Sequence, residues 1–220
     1  MDGSESRENL LAVRGPASTA GMPVACWSCR GPVDRSALFC GTCTAVQPPG
    51  QADHFARLGL APSFDIDGAL LDQRYFEQQR QLHPDRFATR TGRERALSQS
   101  QAVALNEAYE TLKDPLRRAD YLLQCRQGGT VAAGCYMVND SRLLMEAMEL
   151  REALAEAATV GAVNTLAKRA ASDIESCLRN LSFAFAEDDI EAAARLTTRL
   201  KYLRKFADDC RARRLQLARP

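Results

Sequence analysis

Residues 75–88 read YFEQQRQLHPDRFA, and one proline inside that run organises everything around it. Pro84 has no backbone N–H to donate, and its ring pushes the preceding residue out of helical geometry. The amphipathic run that ends at Leu82 must therefore stop there, leaving His83, Pro84 and Asp85 exposed between two helices. A histidine and an aspartate two apart, in a chain with only two histidines, invite an acid/base reading. That chemistry would want a pocket, an orienting third group and a nucleophile, and nothing nearby supplies them. The neighbours are instead Arg74, Arg80 and Arg86, candidates for a basic face flanking the loop. The tripeptide reads as a contact loop.

Working outward, helical periodicity continues on both sides. HFARLGL (54–60) is a short helical segment stopped by Gly59 and Pro62. The helix leading to His83 can be capped by Asp65–Asp67 and turns Leu70, Leu71, Tyr75 and Leu82 inward. The next helix runs from about Gly92 to Lys113 on a stripe of Leu97, Val103 or Ala104, Ala108 and Leu112, ended by Lys113-Asp114-Pro115. RRADYLL (117–123) is a further helical segment before the Gly-rich linker RQGGTVAAG (126–134). Beyond it, residues 140–217 predict three long amphipathic helices. The first covers about 140–157 and the second about 160–183, with Val163, Leu166, Ala170, Ile174, Leu178 and Leu181 inward. The third opens at Glu187-Asp188-Asp189 and carries Leu196, Leu200, Leu203, Ala207 and Cys210. The fold class is all-α, with a small metal-binding module in front, a helical hairpin in the middle and a three-helix bundle behind. The expected boundaries are a disordered tail at 1–22, a tetracysteine module at 23–48, the hairpin domain at 49–125, a linker at 126–136 and the bundle at 137–220.

Four of eight cysteines form two C-x-x-C pairs, Cys26-Trp27-Ser28-Cys29 and Cys40-Gly41-Thr42-Cys43, separated by ten residues. Two such knuckles offer four thiolates to one tetrahedral ion, with no position left open for catalysis. One structural zinc suits this set best. Iron, as a single ion or a cluster, uses the same thiolates and ranks second; a thioredoxin-type role would want a βαβ setting. Some 25 residues cannot bury enough apolar surface to fold alone, so the ion supplies the folding energy. Its loss is expected to loosen the module only. Cys125, Cys135, Cys177 and Cys210 read as small hydrophobes, and His54 as a surface residue.

Composition narrows the function classes. With 29 basic and 28 acidic residues the net charge is +1, which argues against general nucleic-acid binding, since that needs excess Lys and Arg to displace counterions. No run approaches the roughly 20 apolar residues that span a bilayer. Residues 1–22 lack the charged and apolar regions of a signal peptide and carry Asp2, Glu5 and Glu8, unlike a transit peptide. A bacterial cytoplasm is expected, with a mitochondrial matrix as the alternative.

YFEQQRQLHPDRFA followed by ALNEAYETLKDPLRRADYLL (104–123) resembles a J-domain. The resemblance implies that His83, Pro84 and Asp85, with Arg74, Arg80 and Arg86, dock on a DnaK-class heat-shock ATPase and stimulate it. The chain would then be a co-chaperone and not an enzyme.

RLLMEAMELREAL (142–154) carries more apolar residues than one stripe needs. Leu143, Ala147, Leu150 and Leu154 can line the bundle core, and Leu144, Met145 and Met148 fall largely off that stripe. Periodicity alone leaves two readings for those three: a protein-binding patch or a broader core. Residues 53–217 as a whole resemble the HscB family of iron–sulfur co-chaperones, whose bundle binds the scaffold protein IscU. That implies scaffold contacts from Leu144, Met145 and Met148, polar contacts from Glu149, Arg151 and Glu152, and an aromatic contribution from Tyr202. It also implies an HscA-like ATPase partner. Asn139 stands where some members have arginine. The tetracysteine extension resembles that of mitochondrial members and some bacterial ones. Self-association into a homodimer stays open. Two rivals come from other classes: a metal-binding nucleic-acid or regulatory protein, resting on the knuckles and on RARR (211–214), and a hydrolase using His83 and Asp85.

Overall fold

The computed structural model describes residues 23–50, 52–126 and 140–218. The expected tail at 1–22, most of the linker at 126–136, Cys135 and Asn139 lie outside the described residues. Two short strands, β1 (Val24–Ala25) and β2 (Pro32–Val33), pair antiparallel in the cysteine module. Among the described residues seven α-helices follow: α1 (His54–Arg57), α2 (Gly68–Leu82), α3 (Gly92–Lys113), α4 (Pro115–Arg126), α5 (Ser141–Glu156), α6 (Val160–Ala186) and α7 (Ile190–Leu217).

Each helix starts where a short polar side chain can satisfy orphan N–H groups. Asp67 accepts from the N–H groups of Ala69 and Leu70. Thr91 and Glu94 form a reciprocal capping box at the head of α3. Asp140, Thr159 and Asp189 cap α5, α6 and α7. α2 stops at Leu82, and Pro84–Phe87 make a single 3-10 turn before α3 begins. α6 and α7 form a long hairpin that reverses at Asp188, a non-glycine residue with φ 57°, and α5 lies along α7.

The two helical units do not have separate cores. Leu71, Leu82, Leu105, Leu112, Leu122 and Leu123 belong to the same contiguous buried cluster as Leu154, Leu181, Leu200 and Leu203. α4 makes the join by packing on α7. The Phe64 ring, in the segment before α2, stacks on that of Phe185, at the end of α6, at 5.2 Å. Around them Arg204 pairs with Asp114 at 2.7 Å, Lys201 with Asp120 at 2.8 Å, and Arg126 with Asp188. The buried cluster is thus continuous across the expected division near residue 125.

Several expected core positions change. Leu70 is exposed, because the inward face of α2 is centred on Leu71, Tyr75 and Leu82. Leu105 takes the place expected for Val103 or Ala104, and Val103 faces out. His54 is half-buried, its ring 4.2 Å from that of Tyr121. Cys177 and Cys210 are buried and Cys125 exposed, as small hydrophobes would be.

Candidate functional site

The cysteine module is a pair of near-identical turns. In the first, the Arg30 N–H donates to the Cys26 carbonyl at 3.0 Å and the Cys26 N–H to Gly31 at 2.8 Å. In the second, Thr44 donates to Cys40 at 2.9 Å and Cys40 to Ala45 at 3.0 Å. The residue after each pair, Arg30 or Thr44, has positive φ, 65° and 58°. This curls the backbone so that its amides face sulfur: Ser28 N–H lies 3.3 Å from Cys26 Sγ, and Thr42 N–H 3.4 Å from Cys40 Sγ. A side chain at Gly31 would be tight, since a Cβ would come within 3.1 Å of Thr42 Oγ1 and 3.3 Å of Cys29 Sγ.

The four sulfurs all lie within 4.8 Å of one another. Cys26 and Cys43 are 3.7 Å apart and Cys29 and Cys40 3.6 Å. Sulfurs held about 2.3 Å from a tetrahedral ion are separated by about 3.8 Å, so the donor set fits one ion. Protonation equilibria point the same way. Burial pushes the Cys26 thiol up, but the N–H groups of Cys29 and Ser28 and the Gln47 amide outweigh it and bring it down to about 6. Cys40 is drawn down by the N–H groups of Cys43 and Thr42. At Cys29 the Gly31 N–H pulls downward, yet the sulfurs of Cys43, Cys40 and Cys26, together with burial, push it up to about 12. Thiolates this close repel one another, and a bound cation would offset that repulsion.

The loop predicted for contact is open to water. His83, Pro84, Asp85 and Arg86 are exposed, with Leu82 and Phe87 buried on either side as anchors. His83 Nδ1 accepts from the Asp85 N–H at 3.3 Å, and its nearest carboxylate oxygen is Asp85 Oδ2 at 3.5 Å. Side-chain exposures of 57% for His83 and 91% for Asp85 leave no water-excluding pocket for acid–base chemistry. Arg74, Arg80 and Arg86 are exposed and make no ion pair among the described residues. They do not form one stripe: Arg74 and Arg80 are about 120° apart around α2. Arg80 shares the His83 side with Phe76, a residue 51% exposed whose carbonyl accepts from Arg80 Nε at 3.3 Å. The sequence reading does not single out Phe76.

The second surface is a cleft of about 160 Å³ between α5 and α7. Leu144, Met148, Arg151 and Tyr202 all line it. Leu144, Met145, Met148 and Tyr202 are 55%, 61%, 53% and 43% exposed, which decides for a surface patch over a broader core. Met145, Glu149 and Glu152 are exposed on α5 but do not line the cleft. Lys205, Phe206 and Asp209 do, and the sequence reading missed them. They follow Tyr202 at i+3, i+4 and i+7, the spacing that continues one helical face. Glu146 and Arg199 pair at 2.6 Å across α5 and α7, fixing the two walls.

The sequence model described as "HSCB C-terminal oligomerisation domain" matches residues 139–211. The human iron–sulfur cluster co-chaperone protein HscB is 33% identical over 198 residues, 87% of this chain and 83% of its own. The co-chaperone protein HscB homolog of Aeromonas salmonicida is 35% identical over 161 residues, 71% of this chain and 93% of its own. The crystal structure of human HscB superposes with a TM-score of 0.79 at 31% identity, covering 87% of this chain and 99% of that one. For HscB from Vibrio cholerae the score is 0.66 at 34% identity, with coverages of 76% and 99%.

Proposed function

The chain belongs to the HscB family of iron–sulfur cluster co-chaperones, and from that premise we propose how its two surfaces divide the work. The His83 turn, with Arg80 and Arg86 beside it, docks on a DnaK-class ATPase of the HscA type and raises its hydrolysis rate. The α5/α7 cleft carries an IscU-like scaffold to the same ATPase, so that bound cluster can be handed on. The chain is an adaptor and performs no covalent chemistry of its own. The observation that supports this best is the pairing of an exposed, pocketless His-Pro-Asp turn with a separate apolar cleft, the two held in fixed relation by α4 on α7. Cys26, Cys29, Cys40 and Cys43 hold one zinc, which supplies folding energy to the module. A reducing compartment suits these thiolates, the bacterial cytoplasm first and the mitochondrial matrix second.

The description of the matching family model as an oligomerisation domain favours a second reading of the cleft, in which its occupant is another copy of this chain. One experiment covers both. ATP turnover by a DnaK-class ATPase is followed with this chain alone and with scaffold added, beside sedimentation over a concentration series. Stimulation by the chain alone, increased by scaffold, with a monomer at micromolar concentration supports the adaptor. No stimulation would end the J-domain reading. A dimer that dissociates as scaffold is added would assign the cleft to both occupants. The near balance of basic and acidic residues, net charge +1, argues against the nucleic-acid alternative.

A further inference from the structure

Gln47 and Gln101 are two of only four buried polar or charged residues among the described ones, and they touch. Gln47 Nε2 donates to Cys26 Sγ at 3.3 Å and to the Ala45 carbonyl at 2.8 Å. Its backbone carbonyl accepts from Gln101 Nε2, on α3, at 2.9 Å. Gln101 Oε1 accepts from Arg57 Nη1 at 3.3 Å, while Arg57 Nη2 donates to Pro49 at 2.8 Å. The Arg57 carbonyl, at the end of α1, accepts from Gln78 Nε2 on α2 at 3.0 Å. An unbroken hydrogen-bonded chain thus runs from a metal-site sulfur to α2, the helix that leads into His83.

A second strut stands beside it. Trp27, inside the first C-x-x-C pair, donates its indole N–H to the Val46 carbonyl at 2.7 Å, and the Arg93 guanidinium of α3 lies 4.3 Å from its ring. Val46 is 1% exposed and part of the core shared by the helices. The module therefore lends the helical hairpin both an apolar residue and a buried acceptor. A buried polar chain is valuable when complete and costly when one partner leaves, because the remaining groups stay desolvated and unmet.

We infer that the metal centre is a clamp on α1, α2 and α3: while the ion is bound, Gln47 and Val46 stay seated and the His83 turn is held in order. When the ion leaves, the module loses its source of folding energy. Gln101 and Arg57 then lose their partners, and the hairpin loosens with the module. The α5/α7 cleft, on the far helices, keeps its shape. Metal content would set whether the chain can engage the ATPase without changing what it carries. The inference rests on the reading of the four cysteines as a metal site.

The test uses the full chain, with hydrogen exchange read helix by helix and elemental analysis of the same samples. Stripping the ion with a chelator should speed amide exchange in α1–α3 by about tenfold or more, and in α6 by less than about twofold. Gln101→Leu should speed α1–α3 similarly while the ion stays bound, and stripping should then add little. Where Gln101→Leu does not fold, Gln47→Leu carries the test, since it removes the bond to Cys26 but keeps the carbonyl that Gln101 needs. It should lose the ion at lower chelator concentration, and α1–α3 should loosen in step with that loss. Acceleration confined to residues 23–47, or hairpin protection unchanged in a loaded Gln101→Leu chain, would overturn the clamp. A chain purified with no bound ion would instead overturn the metal reading, and leaves a different signature: the chelator changes nothing anywhere.

Discussion

The His83 turn and the α5/α7 cleft are built on opposite plans. The turn uses consecutive residues whose shape is imposed by one proline, and it meets the core only through the flanking anchors Leu82 and Phe87. The cleft is assembled from residues as far apart as Leu144 and Asp209, and its floor is the core itself, since Leu150 and Phe206 both line it and are buried. A change in the turn can therefore silence a contact and leave the fold alone. A change in the cleft divides between binding and stability according to its depth. Depth, more than residue type, separates the two surfaces.

The largest effect is expected at the turn. His83→Gln should return ATPase turnover to its unstimulated rate, with melting temperature and scaffold affinity unchanged. A variant that still stimulates would remove the turn from the comparison. The next effect lies at the cleft floor: Phe206→Ala should cost about 3–5 kcal/mol of stability and weaken scaffold binding as a consequence. At the rim, Leu144→Ala with Met148→Ala should weaken scaffold binding at least about tenfold, at roughly 1–3 kcal/mol per anchor. Melting temperature should barely move. If the rim variant melts like the floor variant, depth is not what distinguishes them.

Much of this plan can be read from the sequence, and the failures share a cause. Pro84 acts locally, so the turn and the helix ends at Leu82 and Gly92 follow from chemistry within a few residues. The knuckle spacing is equally local, and the four sulfurs do converge. Local signals could not show that α4 packs on α7, that the two helical units share one core, or that Gln101 is buried beneath the module. A glutamine in a helical stripe looks like a surface residue until a partner carbonyl arrives from 54 positions away. The cleft falls between these cases. Its rim on α5 shows as excess apolar residues, whereas Lys205 and Asp209 become visible only once Tyr202 fixes the face of α7.

The smallest effect concerns what joins the two surfaces. Asp114 ends α3, and its Oδ1 accepts from the Leu116 and Arg117 N–H groups at 2.8 and 2.9 Å, while both of its oxygens meet Arg204 of α7. Burial pushes its carboxyl up, but the Arg117 N–H and the Arg204 guanidinium outweigh that and hold it below the usual carboxylate range. A depressed folded-state value means the carboxylate stabilises the fold above its unfolded pKa of about 3.9, and the contribution fades as pH falls through the lower folded value. Asp114→Asn keeps an oxygen for the α4 N–H groups and loses the charge. With both partners about a third exposed, the pair should be worth about 1 kcal/mol or less. The variant should therefore be slightly less stable than the parent at neutral pH, and the difference should vanish in strong acid. A double-mutant cycle with Arg204→Gln should recover most of that loss as coupling. Each surface should keep its own contact: stimulation by the chain alone and affinity for scaffold both unchanged. What should fall is the extra stimulation that scaffold adds, because that requires both surfaces to be presented in one geometry. If it survives in Asp114→Asn with Arg204→Gln, the stacked Phe64 and Phe185 and the apolar face of α4 suffice to hold the two units together, and the charged tie adds stability alone.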